Sequence, residues 1–182
     1  MGRQTQPQIR QRFLDACTDY ALEHDLPDSL TPLAAAAGTS TRMLIYHFGT
    51  RDELLREVLR QARRRQVETF TDLLRLRPNE PYLLTLAAAW LAISGPKGKP
   101  YLRIFTWLHD SSGEPLWPGF RRTATTEWLA PLEDGMRSLG RPELATVVLA
   151  VIRGLLMDLD ATGDVERTNQ AFTQFLTAIE NT

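Results

Sequence analysis

Residues 29–53 read SLTPLAAAAGTSTRMLIYHFGTRDE. Pro32 suits the first turn of a helix, where an N–H would be unsatisfied anyway, and Thr31 ahead of it offers a hydroxyl cap. Leu33 and alanines 34–37 are good helix formers, and the small side chains let a neighbouring helix approach closely. Gly38 ends that helix, because the residue after the last turn favours positive φ. Thr39, Ser40 and Thr41 then supply caps for a second helix over 41–48, in which Leu44 and Phe48 share one face. Gly49 or Thr50 leads into a third. Two short helices joined by a Gly-containing turn are the signature of a helix-turn-helix, whose second helix enters the major groove of DNA.

The charge pattern agrees. No Asp or Glu lies between Asp28 and Asp52, whereas Arg42, His47 and Arg51 fall inside that interval. Arg42 is the candidate for base readout, since a guanidinium bridges O6 and N7 of guanine, with phosphate binding as the alternative. His47, at the end of the docking helix, is a candidate phosphate donor, and phosphate contacts set register without reading sequence.

Residues 37–55, AGTSTRMLIYHFGTRDELL, resemble the helix-turn-helix of the TetR family of bacterial repressors. Ala37, Gly38, Ser40, Leu44, His47, Phe48, Leu54 and Leu55 match the family pattern. Thr39 replaces a nearly isosteric Val, Arg51 stands in for Lys, and Ile45 occupies the place of a phosphate-contacting Tyr, with Tyr46 beside it. The resemblance implies an all-α protein of about nine helices. In it, an N-terminal three-helix DNA-binding unit (1–65) is joined by a long helix to a C-terminal helical ligand-binding and dimerisation domain (66–182). The residues expected to meet DNA are Thr31, Thr39, Ser40, Thr41, Arg42, Met43, Tyr46, His47 and Arg51.

The remainder of the chain is bounded by its composition. It has 182 residues, 43% hydrophobic and 24% charged, with net charge −1, which is ordinary for a globular protein and too balanced for a general polyanion binder. Residues 1–65 carry 10 Arg and 8 acids, and residues 66–182 carry 11 bases and 14 acids, a modest asymmetry toward a basic N-terminal part. Cys17 is the only cysteine, so no intrachain disulfide forms, and it reads as a small core residue. The N-terminus lacks the apolar stretch of a signal peptide and no apolar run reaches membrane-spanning length, so a cytoplasmic location and no membrane partner are expected.

In chain order, a helix over 7–24 carries Ile9, Phe13, Ala16 or Cys17, and Tyr20 on one stripe, with Arg3, Arg10 and Arg12 at its start as a solvated helix end, phosphate contact beside the reading helix being the alternative. A long helix over 51–76 has Leu54, Leu55, Val58, Leu59, Ala62, Phe70, Leu73 and Leu74 as its apolar face, and the run Arg63, Arg64, Arg65 reads as a solvated face, with bordering the DNA or pairing with acids across the molecule as the alternatives. Helices follow over 82–93 and 100–109, then a loop over 110–118, then a helix over 117–139 that Pro131 kinks or divides. All four tryptophans fall between 90 and 128. Such aromatics fill cores, and between helices they also line ligand cavities. The family resemblance implies an inducer pocket in this region, and Trp90, Phe105, Trp107 and Trp128 are the candidates. The few fixed charges there, chiefly Arg103, His109 and Asp110, point to an apolar or aromatic ligand.

Helices over 142–160 and from 165 onward carry broad apolar stripes, too wide for one neighbour. They imply a four-helix interface between two copies, with Val148, Val151, Leu155, Phe172, Phe175 and Leu176 as candidate contacts; burial inside one copy is the alternative. Gly95 to Pro100, GPKGKP, lacks the spacing and hydroxyl of a phosphate loop, and the turn at 158–164 lacks the bidentate Glu of a calcium loop. No enzyme activity, metal or cofactor is expected. The leading expectation is a repressor that binds a palindromic operator in double-stranded DNA as a homodimer and is released by a small-molecule effector. The alternative is a helical small-molecule carrier or enzyme without DNA binding.

Overall fold

The computed structural model describes residues 6–109 and 116–181, except the side chains at 106–109 and 121. Among the described residues there are nine α-helices and no strand. The first is α1 (Gln6–His24), which turns Phe13, Leu14, Cys17 and Ala21 inward. Ile9 and Tyr20 are only partly buried against that core, so the apolar stripe is rotated by about one residue from the one expected.

The helix-turn-helix is built as its residues dictate, with one change at its entry. In α2 (Thr31–Ala36), Leu30 rather than Thr31 occupies the cap position, and no side chain caps the helix; Thr31 is its first helical residue and is exposed. Gly38 adopts φ +62°, the left-handed conformation that closes the turn without steric cost. In α3 (Thr41–Phe48), the Ser40 hydroxyl accepts from the Met43 N–H at 3.2 Å. Helix α4 (Arg51–Phe70) begins in a reciprocal capping box: the Glu53 N–H donates to the Thr50 hydroxyl, and the Thr50 N–H donates to the Glu53 carboxylate at 2.7 Å. Leu33, Leu44, Leu54, Leu55 and Val58 interlock α2, α3 and α4 under α1 with no more than 1% exposure each.

Helix α4 ends at Phe70 and tightens into a 3-10 turn over Thr71–Leu74, short of the expected 76. Then come α5 (Tyr82–Ser94), α6 (Lys99–His109), α7 (Phe120–Ser138), a 3-10 turn over Pro142–Leu144, α8 (Ala145–Thr162) and α9 (Val165–Glu180). Pro131 does not divide α7. Its carbonyl and that of Leu74 both receive the Tyr82 hydroxyl, at 3.3 and 2.9 Å, which ties α7, the 3-10 turn and α5 together. Gly135 makes that contact possible: a Cβ there would fall within the Tyr82 ring. Positions 110–115 of the expected loop lie outside the described residues.

Two clusters form the core. One joins α1–α4 to Ile104 and Phe105 of α6 and Phe120 and Ala124 of α7. The other packs α5, α7, α8 and α9 around Tyr82, Leu86, Trp90, Met136, Val148 and Phe172. The turn between α8 and α9 is a helix end, a Gly163 reversal and a new cap, with the Arg167 guanidinium bonded to both carboxylate oxygens of Asp158 and to Asp164. No helix among the described residues is long and apolar enough to cross a membrane.

Candidate nucleic-acid interface and ligand cavity

Burial of Leu44 and Phe48 fixes the roll of α3, so its remaining side chains point away from the core. Arg42 is exposed, and so are Met43 (39%), Ile45 (40%) and Tyr46 (69%). Among the described residues Arg42 has no ion-pair partner. Thr41 and Ser40 are exposed at the start of the helix, Thr39 is half-buried in the turn, and Thr31 stands at the start of α2. The Ser40 hydroxyl already accepts from the Met43 N–H, so its first role is to start α3.

His47 and Arg51 are less free than the sequence implies. His47 is half-buried, its ring set edge-on against Phe13 at 5.4 Å and Tyr46 at 5.1 Å. Arg51 donates to the Pro27 carbonyl at 3.1 Å, which pins the connection between α1 and α2, and it pairs with Asp52 at 3.3 Å. Arg10 is likewise committed. Its Nε donates to the His47 carbonyl at 3.2 Å, its Nη2 pairs with Glu57 at 2.6 Å, and its guanidinium lies over the Phe48 ring. A cation on a last-turn carbonyl satisfies a group that the helix leaves open, so Arg10 locks the C-terminus of α3 to α1 and α4.

A second feature is a cavity of about 300 Å³ between α4, α5, α6, α7 and α8. Phe105 and Trp128 are among the residues that line it. Trp90 does not: its ring stacks on Phe172 at 4.8 Å, and its Nε1–H donates to the Asn169 side-chain Oδ1 at 2.7 Å, making it a core residue between α5 and α9. The Trp107 and His109 side chains and Asp110 lie outside the described residues. Arg103 does not supply charge to the cavity either, because it donates to the Leu22 and Glu23 carbonyls and pairs with Asp25, bracing α6 against the end of α1.

The polar residues that do line the cavity, Arg63, Gln66 and Arg153, are not among those expected from sequence. The run Arg63–Arg65 is not one solvated face. Arg64 is exposed, Arg65 pairs with Asp15 and Asp19 of α1, and Arg63 is 6% exposed. The Arg63 Nε and Nη2 donate to one Glu127 oxygen, Nη1 donates to Gln66, and the Trp128 ring stands 5.1 Å from the guanidinium. Burial pulls the Arg63 pKa down while Glu127 pushes it back up; burial and then the Arg63 charge pull Arg153 down. A helix period of 3.6 puts residue 63 on the stripe of Leu55 and Leu59, and that was the signal available in the sequence.

The candidate pairing residues on α8 and α9 differ in exposure. Val148 (0% exposed) and Phe172 (1%) are filled in by their own chain and have no surface left for a second copy. Val151, Leu155, Phe175 and Leu176 are partly buried at the edge of the same core. Val147, Met157 and Val165 are the exposed large apolar residues of α8 and α9.

No family model matches the sequence, and no curated protein matches it. Solved structures do, and what they share with this chain is its all-helical fold. The chain is similar to a transcriptional regulator from Rhodococcus sp. Rha1, with a TM-score of 0.75 and 22% identity over 93% of this chain and 95% of that one. It is similar to the multidrug binding protein EbrR, solved with imidazole (TM-score 0.61, 24% identity, covering 92% and 89%). It is also similar to a TetR transcriptional regulator from Streptomyces coelicolor (TM-score 0.56, 18% identity, covering 93% and 97%).

Proposed function

We propose that this chain is a DNA-binding transcriptional regulator of the TetR type, a cytoplasmic repressor that holds a palindromic operator as a homodimer and is released by a small, largely apolar or aromatic ligand. The observation that carries the reading is the roll of α3, which turns Arg42, Met43, Ile45 and Tyr46 outward on a stretch free of acid. Residues 1–65 form the DNA-binding part, and the rest holds the ligand and the pairing face. The exposed and half-exposed apolar side chains of α8 and α9 support pairing through those helices. In the dimer, two copies of α3 meet successive major grooves about 34–36 Å apart. The ligand acts by binding one spacing of those helices better than the other. No catalysis and no cofactor are assigned.

Selection of DNA from a random pool by the full-length protein tests this. The expected result is a palindromic sequence, protected as two half-sites one helical turn apart. Failure to enrich any sequence, or retention of a non-palindromic one by a monomer, refutes it.

A further inference from the structure

The cavity carries a charge imbalance. Its walls are apolar, with Phe105, Phe120, Leu132, Leu149 and Ile152 among them, yet two guanidinium groups reach it. Arg63 has its own carboxylate, Glu127, together with the Gln66 amide. Arg153 has a single hydrogen bond, from Nη1 to the Thr125 hydroxyl at 3.1 Å, and no carboxylate pairs with it among the described residues. A guanidinium presents five donors and keeps its charge in proteins. Half-buried against apolar walls and beside a second cation, it gains from the arrival of an anion.

We propose that the cavity binds an apolar or aromatic monocarboxylic acid, its hydrocarbon part against the α6–α7–α8 wall and its carboxylate on Arg153. The planar fork of Arg matches a carboxylate in two parallel bonds. The ligand is a monoanion because only one of the two guanidinium charges lacks a counter-ion, so a dianion would bring a charge with no partner. The small volume, at the lower end for ligand sites, fits a single ring with a short acid chain. The proposal refines the effector of the proposed regulator and rests on that reading only for its regulatory consequence, since binding itself needs no DNA.

The test is calorimetric titration of the full-length protein, without DNA, with 3-phenylpropionate, its neutral amide and the corresponding 3-phenylpropylamine. The acid should bind about tenfold or more tightly than the amide, as an ionic hydrogen-bonded pair exceeds a neutral one, and the amine should not bind. Arg153→Gln, with helical content verified by circular dichroism, should bind acid and amide alike, and Arg153→Lys should restore part of the preference. Equal binding of acid and amide by the parent protein overturns the proposal. So does an acid preference that survives Arg153→Gln, or no binding of the acid at millimolar concentration. If the acid binds as expected while the random-pool selection enriches no DNA, the regulator reading fails and the acid site stands. If a palindromic operator is enriched while the acid does not bind, the acid site fails and the regulator reading stands.

Discussion

Replacing Arg42 by Ala separates docking from folding. The side chain is exposed and makes no ion pair among the described residues, so its loss should change stability by less than about 0.5 kcal/mol. On DNA the cost depends on what it meets. As a bidentate partner of guanine it contributes about 1–3 kcal/mol of discrimination per half-site. A dimer uses it twice, so operator affinity should fall by about 2–6 kcal/mol, or roughly 30-fold to 10⁴-fold. Binding to random DNA and the slope of log K against log salt should then stay nearly unchanged. If Arg42 touches phosphate instead, affinity falls uniformly across sequences and the salt slope drops by about one per contact. Fluorescence anisotropy on the selected operator and on a scrambled duplex, across a salt series, distinguishes the two. Parent-like affinity on both duplexes at every salt concentration refutes the docking geometry. His47→Ala is the companion variant, and because that ring packs on Phe13 it should lose some stability along with DNA affinity.

Other outcomes follow from the interior. Burial pushes the Cys17 thiol up to about 11 from its ordinary 9.0, so above pH 9 the unfolded chain releases a proton that the native one keeps. Stability is therefore intact below pH 9 and falls between pH 9 and 11, by about 2–3 kcal/mol relative to Cys17→Ala, as read from urea midpoints of both proteins. Tyr82 titrates with the same sign but is common to both. Glu127→Ala strands the Arg63 guanidinium and should cost about 2 kcal/mol, less than the roughly 3–5 of a fully buried pair, since the Glu127 side chain is 39% exposed; an unchanged urea midpoint would contradict the pairing. Gly135→Ala drives a methyl into the Tyr82 ring and should cost about 1–3 kcal/mol, seen as a lower thermal midpoint, whereas Gly154→Ala, with open space around it, should not.

The N-terminal helices were legible because their determinants are local. A hydroxyl before α3, a capping box at α4 and a glycine at positive φ each act within four residues, and Leu44 with Phe48 falls on one face of the helix they start. Thr31 misled as a cap because the helix starts one residue earlier, which leaves α2 without a side-chain acceptor. The cavity was half legible. Phe105 and Trp128 reach it but Trp90 does not, because where an aromatic ring ends up depends on which helix lies opposite: α9 brings Phe172 and Asn169 to Trp90. Arg63 was hidden by its neighbours in sequence. Three consecutive arginines look alike on paper, yet they point in three directions around a helix, and only one is aimed inward. Val148 and Phe172, candidates for pairing, are buried within their own chain for a similar reason. An apolar stripe records that something covers it, without recording whether the cover is the same chain.

The position of Arg63 links the two halves of the proposed regulator. Its helix carries Leu54 and Leu55, which are packed into the core that also holds α3, and eight residues further on it carries the guanidinium in the cavity. At 1.5 Å per residue that is about 12 Å of rigid helix. In the proposed regulator, an anion on Arg153 would lower the repulsion between the two cations and add volume beside Gln66 and Phe105, where α4 meets α6 and α7. The capping box and the Arg10 bridge to the His47 carbonyl and Glu57 tie α3 to α4 and α1, which gives a shift of α4 in the proposed regulator a route to α3. Cutting the bridge with Glu57→Ala should therefore weaken the ligand's effect on operator binding more than it weakens ligand binding itself, and equal losses in the two measurements would show that the coupling runs elsewhere.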